Sequence, residues 1–478
     1  MKAVAQFAVL AAVGFTCRLG HCVENPLPPN FIIILCDNLG YGDIGCYGSE
    51  LHRTPRIDQM AREGISLTSF YSTSGVCTPS RASLMTGCYP RRVGLDVTDP
   101  DGAVLRPVSP NGLHPDEVTL AEVLQQKSYA TACIGKWHLG DQPSFLPTRQ
   151  GFDEYFGIPY SDDMTARKGK NWPPLPLMKN EQVLEAPVDR NLLTKRYTEQ
   201  AIEFITKNKQ QPFFLYLPHA MPGSTKAPYA SEKFRGKSAN GPWGDSVEEI
   251  DWSTGEILDT LKRLGIDDRT LVVWTSDNGA PRRNPPQGSN EPLGGWGYTT
   301  MEGGMRVPCI VRWPDNISAD TKSDAVTTTM DLLPTFARLA NIKLPTSLVI
   351  DGYDIWPILS SADAQTPYEA LYYYHRDQLH AVRSGKWKLH LALPQKQIDL
   401  QGKSKVSAAR LYDLDADVGE STSLTDKHPE VVARLVKLAE KARQDLGDGK
   451  FQGSGQRKVG RAENPLPQQL SKSLSKNE

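Results

Sequence analysis

The chain has no excess of charge of one sign, no clustered cysteine pattern and, beyond its first residues, no long apolar run. Each absence excludes something. A formal net charge of -1 over 478 residues leaves no basic field to hold nucleic acid, although a local basic patch can still bind an anionic sugar. No later stretch is apolar enough to cross a bilayer, so no membrane span is expected. The eight cysteines, at 17, 22, 36, 46, 77, 88, 133 and 309, match no zinc spacing. Setting aside Cys17, Cys22 and Cys77 leaves an odd number. Cys36, Cys133 and Cys309 lie in apolar contexts and read as buried thiols. Cys46 with Cys88 is the one pair to consider for a disulfide.

What is present is ordinary globular material, 39% hydrophobic and 23% charged, long enough for one large domain and a smaller one. One lysine and then a short apolar run open the chain, which reads as a secretory signal peptide over residues 1–23. The expected localisation is periplasmic or secreted. A lipid anchor on Cys17 or Cys22 is less favoured, because no leucine–small–small pattern precedes either. Short β-rich runs at Phe31–Cys36, Tyr129–Ile134, Phe213–Leu217 and Thr270–Ser276 alternate with helical patterns at Arg56–Gly64, from Pro79 to Gly87, and at Leu193–Lys207 and Ser246–Leu264. That alternation argues an α/β fold, a parallel or mixed sheet covered on both faces, with sites beyond the carboxyl ends of its strands. A catalytic domain is expected over 24–365. Residues 366–446 change to short strands and one helix, a small antiparallel subdomain. The Gly-, Ser-, Gln- and Lys-rich stretch 447–478 reads as a disordered tail.

The chemistry-bearing strings are more specific. Cys77-Thr78-Pro79-Ser80-Arg81 leads into the helical pattern that starts at Pro79. Asp37-Asn38 and Asp277-Asn278 each follow an apolar strand, all four with oxygen donors, a set suited to calcium or magnesium rather than zinc. Alone, each pair also reads as a turn or helix cap. Gly135-Lys136-Trp137-His138-Leu139-Gly140 sets a lysine and a histidine two apart, and Glu302-Gly303-Gly304-Met305-Arg306 follows further on.

These strings resemble the type I, formylglycine-dependent sulfatases, most of all the arylsulfatases and N-acetylgalactosamine sulfatases, from about Pro29 to about Leu446. The resemblance implies an alkaline-phosphatase-like α/β/α sandwich with a small C-terminal α+β subdomain. It implies oxidation of Cys77 to formylglycine by a maturation enzyme, with Cys77, Arg81, Lys136 and His138 as catalytic residues. It implies Ca2+, with Mg2+ as the alternative, held by Asp37, Asn38, Asp277 and Asn278. Ser161 matches a sulfate-contacting serine. Glu302 and Arg306 are expected to brace the metal loop.

The chain also departs from that pattern. Asn38 stands where the family most often has Asp. Gly297 stands where a lysine precedes the E-G-G segment, and the expected histidine position falls on Gly223. Lys226 and His219 are the candidate replacements for donating a proton to the departing alcohol. Trp172, Trp296, Tyr298, His375 and Arg376 are candidates for substrate recognition, each with a plain packing reading beside it. The expected activity is hydrolysis of a sulfate ester on a sulfated carbohydrate. Two alternatives stay open: a sulfated-glycan binding protein with little turnover, and a formylglycine-dependent phosphodiester or phosphonate hydrolase.

Overall fold

The computed structural model describes residues 27–96, 102–347, 349–361, 363–393 and 408–470, so the expected signal peptide lies outside the described residues. Its centre is the strand Asn30–Asp37, every residue of which is buried. The run F-I-I-I-L-C is apolar on both faces because both faces are covered. Phe31, Ile33 and Leu35 pack with the helices Cys77–Thr86, Leu120–Gln125 and Leu332–Leu339. Ile32, Ile34 and Cys36 pack with the helices Pro55–Arg62, Leu193–Asn208 and Gly241–Leu264.

This strand pairs in parallel with Thr270–Ser276 on one side and Phe213–Pro222 on the other, and Ala130–Ile134 and Glu154–Gly157 extend the parallel block. Cys309–Arg312 and Leu177–Lys179 pair antiparallel at its two margins, within a sheet of ten strands. The register is what builds the site. Cys36 lies opposite Ser276, and Asp37 opposite Pro222. The loops carrying Asp37-Asn38, Lys136, Gly223 and Asp277-Asn278 therefore leave the sheet at one carboxyl edge.

The C-terminal unit is a four-stranded antiparallel sheet, Leu371–His375, Gln378–Ser384, Trp387–His390 and Arg410–Asp413 in that order, closed by the helix Pro429–Leu446. Leu435, Leu438, Ala439, Ala442 and Leu446 give that helix its buried stripe. The architecture is the alkaline-phosphatase-like α/β/α sandwich with its small α+β subdomain. No described helix is long and apolar enough to cross a membrane.

Two expectations fail. The segment from Gly447 is docked as far as it is described. Gly460–Arg461 pairs with Asn111–Gly112, Arg457 makes two 2.8 Å bonds to Glu117, and the Leu466 amide donates to Gln142 at 2.8 Å. Its composition suggested disorder, but long polar side chains there find partners more than three hundred residues back. Cys46 and Cys88 are both free thiols. Cys88 Sγ is instead occupied by the Val349 carbonyl at 3.3 Å and the Arg457 guanidinium at 3.2 Å.

Candidate active site

Cys77 is the first residue of the helix Cys77–Thr86. Its N-cap, Val76, has an extended backbone and no capping side chain, so the amides of the first turn are open toward whatever lies before it. Cys77 Sγ lies 3.2 Å from Asp37 Oδ1 and 3.7 Å from Asn38 Oδ1. Ligand atoms of Asp37, Cys77 and Asp277 all fall within 4.8 Å of one another, fully buried.

Cations hold this acidic cluster. Arg81 Nε and Nη2 donate to Asp277 Oδ2 at 3.0 and 2.8 Å, Nη2 also reaches Asp37 Oδ1 at 3.3 Å, and Nη1 donates to the Lys136 carbonyl at 2.6 Å. The guanidinium fork is thus committed to two carboxylates. Lys136 Nζ donates to Asp37 Oδ1 at 2.7 Å and to Ser161 Oγ at 3.3 Å. Burial opposes ionisation of Asp37, but Lys136 and Arg81 outweigh it and hold this carboxyl well below the usual range. Burial and then the Asp37 charge push Asp277 up to about 7. Burial, then Asp277 and Asp37, push the Cys77 thiol up. A thiolate nucleophile would need the opposite, electropositive surroundings.

Among the described residues, Asp37 Oδ2 and Asn278 Oδ1 are buried here without a partner. Asn38 closes the ring: its amide N–H donates to Asp277 Oδ1 at 3.0 Å, its Oδ1 accepts from Asn278 Nδ2 at 2.6 Å, and its Nδ2 donates to Ser224 Oγ at 3.1 Å. Unpartnered buried oxygens between repelling carboxylates, with oxygen donors on four sides, fit a hard divalent cation.

His138 has φ of 63°, a left-handed backbone uncommon for a non-glycine residue. Its Nε2 faces the Leu105 carbonyl at 3.1 Å, so Nε2 carries the proton and Nδ1, buried and without a partner, is a free lone pair. Burial, then Lys136 and Arg81, hold this imidazole neutral.

The remaining candidates separate. Ser161 is in the site. His375 and Arg376 line a cleft with Ser74, Gly75, Val76 and Tyr298, immediately before Cys77. Trp296 is half-buried in the loop carrying Tyr298, its carbonyl accepting from Thr299. Lys226 is exposed on the loop beyond Ser224, and among the described residues no hydrogen bond or ion pair joins its amine to the cluster. His219 is not in the site. It is buried between the sheet and two helices, 3.3 Å from Ser253 Oγ and beside Tyr197, and burial lowers it to about 3. Strand alternation turned it to the other face. Glu302 likewise points away, into the C-terminal subdomain through Lys388 at 2.9 Å. The glycines after it do brace the metal loop: a Cβ on Gly279 would lie 1.9 Å from the Gly303 carbonyl.

Two residues were missed or underrated. At Gly223 (φ 75°) a side chain would point at Asp162 Oδ1, 3.0 Å away, and Asp37 Oδ2, 3.6 Å away. The buried Asp162 carboxyl, unpartnered at both oxygens, stands beside that space. Tyr298 (φ 70°) hydrogen-bonds Ser224 Oγ at 3.1 Å, and its backbone N–H bonds Gly75. A bulky residue in that conformation is a strained position, and in sequence only its place next to Gly297 signals it.

Known proteins resolve the class. The sulfatase family model matches residues 29–342, and the C-terminal region of aryl-sulfatase matches 366–468. The chain is 39% identical to N-acetylgalactosamine-6-sulfatase of Mus musculus over 77% of this chain and 72% of that protein. It is 36% identical to arylsulfatase A of Homo sapiens over 86% and 87%. Among solved structures, a sulfatase from Pseudoalteromonas sp. superposes with a TM-score of 0.77 at 27% identity, covering 87% of this chain and 89% of that one. A Bacteroides thetaiotaomicron structure described with the metabolism of multiple glycosaminoglycans gives 0.76 at 27% identity, covering 87% and 99%. With that agreement over both units, and with Cys77 set among Asp37, Asp277, Arg81 and Lys136, the chain belongs to the sulfatase family and is a sulfate-ester hydrolase.

Proposed function

We propose that the protein hydrolyses a sulfate ester on a sulfated carbohydrate, with Cys77 matured to formylglycine and Ca2+, or Mg2+, between Asp37, Asn38, Asp277 and Asn278. The observation that carries this reading is Cys77 at an open helix start, against a buried carboxylate pair with unpartnered oxygens. Formylglycine would supply a hydrated aldehyde whose hydroxyl attacks sulfur and whose second hydroxyl later expels sulfate. The cation would supply charge neutralisation and acidify that hydroxyl.

The chain's own residues do the rest. Asp37, ionised and 3.2 Å from the Cys77 side chain, orients the nucleophile and takes its proton. Lys136 has one N–H not committed to Asp37 or Ser161, and that N–H stabilises charge on the sulfuryl oxygens. Arg81 keeps both carboxylates in place. His138 accepts the final proton at Nδ1. The Tyr298 hydroxyl, 3.1 Å from Ser224 Oγ, is the group assigned in this reading to help the alcohol leave.

The substrate class rests on the similarity to N-acetylgalactosamine-6-sulfatase and to the structure described with glycosaminoglycan metabolism. Export to a periplasmic or extracellular space and a maturation enzyme complete the proposal, following the N-terminal apolar run and the Cys77 motif. The test is free sulfate release from a panel of defined sulfated mono- and oligosaccharides, with the mass of the Cys77 peptide measured in the same batch. Release together with the aldehyde mass, and loss of at least 1,000-fold in Cys77→Ala, is expected. Aldehyde without release from any sugar sulfate would sink the carbohydrate reading.

A further inference from the structure

Beside the site the chain gathers positive charge around one aromatic ring. The Trp172 ring has the guanidinium of Arg106 at 5.8 Å, that of Arg167 at 5.0 Å and the ammonium of Lys170 at 5.1 Å from its centroid. All three are within cation–π range of one indole. The ring is no loose ornament: it is half-buried and packs against the core on the far side of the sheet. Arg167, Lys168 and Lys170 are exposed, and none of the three has a carboxylate partner among the described residues. Like charges held this close repel, within about one Debye length of ~8–10 Å at physiological salt. One polarised ring does not neutralise the exposed Arg167, Lys168 and Lys170.

Both loops that carry this cluster are anchored in the catalytic site. Leu105, one residue before Arg106, is pinned at both ends: its N–H donates to Thr78 Oγ1 at 3.1 Å, and its carbonyl faces His138 Nε2 at 3.1 Å. The other loop starts at Ser161, which accepts from Lys136, turns through the Met164 N–H to Ser161 carbonyl bond of 3.0 Å, and closes where the Leu175 N–H meets Thr165 Oγ1 at 3.1 Å. The Arg167–Lys170 bridge shapes its tip.

We propose that Trp172, Arg106, Arg167 and Lys170 form a second anion subsite, and that the substrate is a polyanionic saccharide with another sulfate or carboxylate on a sugar next to the scissile ester. The proposal rests on the carbohydrate-sulfatase reading. The ring holds the cations together, and the exposed cations offer charge-assisted donors to an anion on the sugar.

Binding of a disulfated disaccharide and its monosulfated counterpart is measured by calorimetry on the full chain carrying Cys77→Ala, which prevents turnover. The disulfated sugar should bind at least tenfold more tightly, with a preference that shrinks as salt rises. Adding Arg167→Ala and Lys170→Ala should remove that preference and leave the thermal midpoint in place. A preference that survives the double substitution, or no preference at all, overturns the subsite. The underlying reading fails separately, when the matured wild-type chain releases sulfate from no carbohydrate.

Discussion

Two buried clusters of charge, built from the same residue types, have opposite bookkeeping. At the subdomain junction Lys388 spends its ammonium on the Thr300 carbonyl at 2.9 Å, Glu302 at 2.9 Å and Glu420 at 3.0 Å, over the face of Tyr373. Glu302 also accepts from Tyr71 at 2.5 Å and Tyr373 at 3.1 Å, while Glu420 pairs with His390 at 2.6 Å and accepts the Glu302 amide. No polar atom of Glu302, Lys388 or Glu420 is left without a partner among the described residues. At the carboxyl edge of the large sheet, Asp37, Asn278 and His138 each keep an unpartnered buried atom. A satisfied network fastens two units together. An unsatisfied one carries a desolvation cost that something bound must remove.

The comparison breaks most sharply at Lys388. Lys388→Met removes the ammonium shared by Glu302 and Glu420 and leaves Glu302 only its longer pairs to Arg306 at 3.6 Å and Arg383 at 4.0 Å, and about 3 kcal/mol of stability should be lost in urea denaturation. Sulfate release per folded molecule should change little; an unchanged midpoint would mean the cluster does not fasten the subdomain. Tyr298→Phe tests the other cluster. It should slow an alkyl sulfate by roughly 10- to 100-fold and a phenyl sulfate far less, because a good leaving group needs no donated proton. Equal slowing of both would remove Tyr298 from alcohol departure. Asn38→Asp restores a carboxylate beside Asp37 and should tighten Ca2+ by about tenfold, since charge count tunes such sites. Calcium titration by thermal shift reads this directly, and no gain would show that Asn38 faces the cation with nothing to add.

Acid should distinguish the clusters more gently. Although burial opposes it, Lys388, Arg383 and Arg306 hold Glu302 at about 2, against an ordinary value of 4.5. The unfolded chain binds the extra proton between those values. The contribution of Glu302 is therefore complete above about 4.5 and is lost as pH falls toward 2. Urea midpoints between pH 5 and 3 should fall in the wild type and fall less in Glu302→Gln.

Much of this was legible in the chain. The strand Thr270–Ser276 follows the predicted bounds, and the one helix expected in 366–446 is Pro429–Leu446, because apolar runs and Pro starts are local signals. The helix at Cys77 begins two residues before Pro79, since proline suits the first turn as well as the first position. The strand predicted to end at Leu217 runs on to Pro222, because polar His219 is tolerated where Ser253 can meet it. Arg81 was found, but its partner was not: a guanidinium suits an anionic substrate and a carboxylate equally, and Asp277 lies 196 residues away.

By itself, then, the sequence determined the alternation that makes a covered parallel sheet, the cysteine just before a helix and the oxygen-donor pairs after two strands. All of these rest on neighbours a few residues apart. Only the tertiary structure decided which polar groups share the site. It turned His219 and Glu302 away, docked the C-terminal segment and brought Tyr298 to Ser224. The reason is physical: those outcomes depend on strand register, on which face a side chain takes, and on partners far apart in the chain.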